Sequence, residues 1–148
     1  MAVPVPEFAN DMNHYNGSCT CGSAHFEIDL SAAISTYFAR ACDCSFCTSK
    51  NARYLSDPKG GLKVRFSGTP DIIQQGSEQA EFLHCPQCGD LVCVICRMGS
   101  HSIGAINTSI SPIFDDLTES VSTSPQLLSA QEKIDRWQSV WFPVDIEN

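Results

Sequence analysis

Residues 82–97 read Phe82-Leu83-His84-Cys85-Pro86-Gln87-Cys88-Gly89-Asp90-Leu91-Val92-Cys93-Val94-Ile95-Cys96-Arg97. Two signals meet in this stretch. The first half is a Cys-x-x-Cys-Gly turn. Its short spacing lets one turn deliver two sulfurs to a single ion, Pro86 stiffens the turn, and Gly89 reaches positive φ without strain. The second half, Leu91 to Arg97, is a nearly continuous apolar run, as expected of a central strand. Cys93 and Cys96 repeat the Cys-x-x-Cys spacing inside that run and would suit a redox pair. On a strand, however, an offset of three sends side chains to opposite faces. They read better as buried thiols packing as small hydrophobes.

Working outward, strand signals dominate. Ser23 to Leu30 alternates Ala24, Phe26, Ile28 and Leu30 against His25, Glu27 and Asp29, a half-buried strand. Gly60 to Gly68 alternates Leu62, Val64 and Phe66 against Lys63 and Arg65. Ile34–Ala41, Glu81–Leu83 and Ser102–Ile110 are further candidates, and Gly-rich and Pro-rich turns punctuate the runs at short intervals. The best helix candidate follows Pro125, over Gln126–Trp137, with Trp141 and Phe142 beyond it as core or lid aromatics. The hydroxyl-rich stretch Thr118–Ser124 reads as an exposed loop. Residues 1–14 read as an N-terminal arm and 15–148 as one mainly β domain. A length of 148 residues, 43% hydrophobic, suffices for a single core without staples.

Nine cysteines are an odd number, so complete intrachain pairing is excluded. Seven fall into three groups: Cys19-Thr20-Cys21-Gly22, Cys42-Asp43-Cys44-Ser45-Phe46-Cys47, and the Cys85/Cys88 turn. A Cys-x-Cys-Gly turn and a Cys-x-x-Cys-Gly turn from distant segments together make a four-thiolate metal site on Cys19, Cys21, Cys85 and Cys88. A chance cluster of free buried thiols fits poorly with the polar turn residues around them. The middle group offers three sulfurs, Cys42, Cys44 and Cys47, and no fourth nearby. Three protein ligands and an open position are the pattern of a catalytic zinc site. The competing reading is a second structural zinc closed by Cys93, Cys96 or a histidine. Three thiolates on Zn²⁺ leave a weak Lewis acid, better suited to handling sulfur than to forming hydroxide. Asp43 is the candidate proton carrier, with His84 as a further donor near the third group.

The formal charge is −8, from 9 Lys+Arg and 17 Asp+Glu, which argues against a nucleic-acid partner. Six of those nine bases (Arg40, Lys50, Arg53, Lys59, Lys63 and Arg65) surround the middle cysteines and would suit an anionic thiol. The competing reading is a solvated basic face. No 18-residue apolar run and no signal-peptide pattern occur, so no membrane partner is expected. The expected compartment is the reducing cytoplasm, where clustered cysteines bind metal or do chemistry.

In order, Gly-x-Cys-x-Cys-Gly, Cys-x-Cys-x-x-Cys and Phe-x-x-Cys-x-x-Cys-Gly resemble the glutathione-dependent formaldehyde-activating enzyme family, also called the centromere protein V-like family. The likeness runs from about Tyr15 to Trp141 and includes Arg136-Trp137. It implies an Mss4-like fold of antiparallel β-sheets assembled around zinc, with little helix. It implies two Zn²⁺ per chain: a structural ion on Cys19, Cys21, Cys85 and Cys88, and a catalytic ion on Cys42, Cys44 and Cys47. It further implies carbon–sulfur lyase-type activity, making or breaking a C–S bond in an adduct of glutathione or another small thiol. The alternative is a non-catalytic zinc-binding interaction module of the same fold.

Overall fold

The computed structural model describes residues 13–42, 52–74, 80–123 and 129–147. Eleven strands form one mixed sheet system, with a single α-helix among the described residues. The strands are β1 (Asn13–Ser18), β2 (Ala24–Leu30), β3 (Phe38–Cys42), β4 (Tyr54–Leu55), β5 (Gly61–Phe66), β6 (Asp71–Gln74), β7 (Glu81–His84), β8 (Leu91–Met98), β9 (His101–Asn107), β10 (Thr118–Thr123) and β11 (Phe142–Glu147). The helix α1 covers Ala130–Val140. The mainly β expectation holds. Most pairings are antiparallel, but β10 runs parallel to β3 and β11 runs parallel to β5.

The order is β1-β2-β5-β11-β9-β4-β3-β10, and a second path β6-β7-β8 joins at β9. β9 is the hub. One edge pairs with β8; the other pairs with β11 near Ser102–Gly104 and with β4 near Ile106–Asn107. The alternation read in β2 and β5 is observed: Ala24, Phe26, Ile28, Leu30, Leu62, Val64 and Phe66 are all buried.

β8 is buried from Leu91 to Cys96 and divides its side chains between two cores. Its register with β7 shifts between Leu83 and His84, so that Leu91 and Cys93 are successive partners and Val92 is skipped. Beyond the shift, Cys93 and Ile95 enter one core while Val94 and Cys96 enter the other. The first core also takes Cys19 and Cys85, so the first and third cysteine groups sit at its margin. The second is capped by Trp141 from the end of α1, stacked on Trp137 with ring centroids 4.5 Å apart.

Several boundaries differ from the sequence reading. Thr118–Thr123 is strand β10, not an exposed loop, because its backbone pairs with β3. Ile34–Thr36 is a 3-10 turn with a buried Ile34, and only Phe38–Cys42 is strand. Residues 124–128, where the expected helix begins, lie outside the described residues; the described helix covers Ala130–Val140 and so runs past the expected end at Trp137. Ser129 caps it, its hydroxyl accepting from Glu132 N while the Glu132 carboxylate accepts from Ser129 N, a capping box. Of the expected arm, residues 1–12 lie outside the described residues, and Asn13 and His14 already belong to β1.

Candidate metal centre

Two turns build the site. The first joins β1 to β2, the second β7 to β8, and they are built alike. In each, the first cysteine's carbonyl accepts from the glycine that closes the turn: Gly22 N to Cys19 O at 3.0 Å, and Gly89 N to Cys85 O at 2.9 Å. Both glycines have positive φ, 83° and 80°, a conformation that a Cβ penalises. Each turn also aims a backbone N–H at its first sulfur: Ala24 N at Cys19 Sγ and Gln87 N at Cys85 Sγ, both at 3.4 Å. Such donors stabilise thiolate.

The four sulfurs of Cys19, Cys21, Cys85 and Cys88 lie within 4.8 Å of one another. Cys19 to Cys21 and Cys21 to Cys85 are each 3.6 Å. Ligands about 2.3 Å from a tetrahedral zinc lie roughly 3.8 Å apart, so the spacing fits a Zn²⁺-sized ion with all-thiolate ligation. The sequence expectation that these four residues form one metal-binding cluster is met, and the cluster can hold a metal ion.

Three side chains that the sequence reading did not single out brace the cluster. Ser23 Oγ lies 3.0 Å from both Cys21 Sγ and Cys85 Sγ, bridging the two turns. Thr20 donates through its N–H and its hydroxyl to one Asp90 carboxylate oxygen, at 2.8 and 2.5 Å. Each braces one turn to the other. Burial raises the Cys85 pKa, but the Ser23 hydroxyl and the N–H groups of Cys88 and Gln87 outweigh it and hold the thiol at about 6. Cys88 moves the other way, to about 12, chiefly through burial. Cys21 is exposed and lowered, first by Ser23.

The middle group is placed only in part. Cys42 ends β3, its Cα opposite Thr123 of β10. Asp43, Cys44 and Cys47 lie outside the described residues. His84 is buried and turned to its own strand, its Nδ1 3.0 Å from the Phe82 carbonyl oxygen. Of the basic residues singled out in the sequence, Lys50 lies outside the described residues, and the others are spread over separate elements. Lys63 and Arg65 both pair with Glu147, at 3.4 and 3.6 Å. They stand on the outer face of β5, opposite Glu27 and His25 in the register with β2. Arg40 lies elsewhere, in β3.

No family model matches the chain, and no curated protein is similar to it. Among solved structures, a Rhodobacter sphaeroides protein determined as a structural-genomics target shares the architecture. The TM-score is 0.56 at 25% identity, covering 74% of this chain and 100% of that one. No helix among the described residues is long and apolar enough to cross a membrane.

Proposed function

We propose that this chain is a zinc-dependent member of the formaldehyde-activating type, with an Mss4-like fold and carbon–sulfur lyase-type activity on an adduct of glutathione or another small thiol. The observation that carries the reading is the convergence of Cys19, Cys21, Cys85 and Cys88 from two matched turns, Cys21 and Cys85 being 64 residues apart in sequence. That is the ligand set the family resemblance implies for a structural ion, and it supports the remaining part of the resemblance, a second ion on Cys42, Cys44 and Cys47. Zinc on those three thiolates would supply a soft centre suited to holding a substrate sulfur. The chain's own groups do the rest. β3 brings Cys42 to the sheet end, Asp43 is the proton carrier, and the first cluster fixes the β7–β8 hairpin against β2.

Turnover of S-hydroxymethylglutathione by Cys44→Ser and Cys85→Ser tests the reading. Cys44→Ser is expected to abolish turnover and keep the wild-type melting profile, whereas Cys85→Ser loses the fold. Equal loss of fold in both variants would assign the middle cysteines to a closed structural site and the chain to a non-catalytic interaction module. Undiminished turnover in Cys44→Ser would also contradict the reading.

A further inference from the structure

The four cysteines of the metal cluster are unequally placed. Of the cysteine side chains described, only Cys21 is exposed; Cys88 is half-buried, and Cys19 and Cys85 are buried. Cys21 has close sulfur neighbours on two sides. Its Sγ is 3.6 Å from Cys19 Sγ in its own turn and 3.6 Å from Cys85 Sγ in the other. A solute that reacts with sulfur therefore meets Cys21 first, with two buried sulfurs standing behind it. An accessible sulfur poised next to a resolving one is the arrangement of an oxidation-sensitive cysteine.

The two neighbours are not equivalent. Ser23 Oγ lies 3.0 Å from both Cys21 Sγ and Cys85 Sγ, so one hydroxyl serves that pair. Cys19 shares a tight turn with Cys21, closed by the hydrogen bond from Gly22 N to Cys19 O. A bond between those two sulfurs would close a small ring across Thr20, inside a turn whose shape is already fixed, and disulfides are particular about geometry. A bond between Cys21 and Cys85 instead joins residues 64 apart in sequence and ties the two turns together. A cross-link over so long a loop restricts the unfolded chain strongly. The hydrogen bonds from Thr20 to Asp90 hold the same two turns in place.

We propose that Cys21 is an oxidation site for hydroperoxides, and that it resolves onto Cys85 as a disulfide that takes over the ion's role as the staple between the turns. The first step forms an S–O bond at Cys21 and breaks the peroxide O–O bond. The sulfur is oxidised by two electrons to a sulfenic acid, and the reduced peroxide leaves as an alcohol, or as water, after taking a proton from solvent. In the second step the Cys85 thiolate forms the S–S bond and the S–O bond breaks. The departing hydroxide becomes water with the Ser23 hydroxyl proton, which solvent returns. Two of the four thiolates are then spent, too few for a closed tetrahedral site, so the ion is released while the turns stay joined. A thiol reductant and zinc reverse the change. Only the four-cysteine cluster is needed for this; lyase activity is not.

The test treats the native zinc-loaded chain with hydrogen peroxide and with tert-butyl hydroperoxide, then maps its cysteines by alkylation and peptide mass spectrometry. A Cys21–Cys85 bond is expected, with zinc lost as the bond forms and a cooperative melt retained. Dithiothreitol with zinc is expected to restore the starting state. Cys21→His keeps a zinc ligand and has no oxidisable sulfur at that position. Oxidation of Cys85 is expected to fall about tenfold or more in this variant, since a buried thiol is poorly reached by itself. Should the variant fail to fold, the map of the native chain decides alone. A Cys19–Cys21 bond in place of the expected one, oxidised Cys21 with Cys85 left reduced, or Cys21 left reduced while other cysteines oxidise would each overturn the proposal. So would a bonded chain that keeps all its zinc or melts without cooperativity, or undiminished Cys85 oxidation in folded Cys21→His.

Discussion

Cys85-x-x-Cys88 and Cys93-x-x-Cys96 share one spacing within twelve residues of chain and meet opposite fates. In the first, the backbone reverses. Gly89 closes the turn at φ 80°, its N–H returns to the Cys85 carbonyl, and both sulfurs face Cys19 and Cys21. In the second, the backbone stays extended, so Cys93 packs into one core and Cys96 into the other. Their chemistry follows. Burial pushes the Cys93 thiol up to about 12 with nothing to offset it. Burial also raises Cys85, but the hydroxyl of Ser23 and two backbone N–H groups bring it down to about 6. Spacing alone does not make a metal site. A chain reversal with donors aimed at the sulfurs does.

The contrast can be broken most severely at Cys85. Cys85→Ser removes a ligand from an ion whose binding in a structural site is of order 10–16 kcal/mol. The expected result is a chain that fails to fold cooperatively in a thermal melt, with or without added zinc. A wild-type melting profile would mean that the two motifs are equally passive.

Next in size is reactivity after chelation. With zinc removed, iodoacetamide is expected to label exposed Cys21 first and at neutral pH, because its pKa is lowered. Cys93 is expected to be labelled only later, with the unfolding that follows loss of the ion, since it is fully enclosed and burial pushes its thiol up to about 12. Peptide mapping across pH 5–9 checks this. Labelling of Cys21 should fall as acid protonates it, while Cys93 stays flat throughout. Comparable rates at the two sites would erase the distinction.

Cys93→Ser is expected to keep the metal and cost about 1–3 kcal/mol, the penalty of a hydroxyl buried among apolar neighbours. Urea melts and metal content report the two quantities separately, and metal loss in this variant would count against the division. The smallest effect is expected from Gly89→Ala, where a Cβ at positive φ costs about 1–2 kcal/mol. It should lower the melting temperature and speed chelator removal of the ion. If neither changes, chain handedness is not what separates the two motifs.

Much of this was readable from residues because the deciding chemistry is local. The pairs Cys19/Cys21 and Cys85/Cys88 each carry their turn-closing glycine beside them. β2, β5 and β8 expose their burial in alternation or in an apolar run. Elements held by partners were harder to read. Thr118–Thr123 has the composition of a loop, and only its pairing with β3 makes it a strand. Asn13–Ser18 is polar and becomes β1 by pairing with β2. Pro143 obscured β11, which lies between β5 and β9. Ser129 and Glu132, an inconspicuous pair in the sequence, cap the helix at Ala130. At the site, Ser23 reaches Cys85 across 62 residues and Thr20 reaches Asp90 across 70. No local pattern announces such contacts, although both Ser23 and Asp90 directly follow a turn-closing glycine.

The most direct test is the zinc content of the folded native chain beside that of Cys44→Ser, measured by mass spectrometry under non-denaturing conditions. Two ions are expected in the native chain and one in the variant, held by Cys19, Cys21, Cys85 and Cys88. One ion or none in the folded native chain, or an unchanged zinc content in Cys44→Ser, would contradict this.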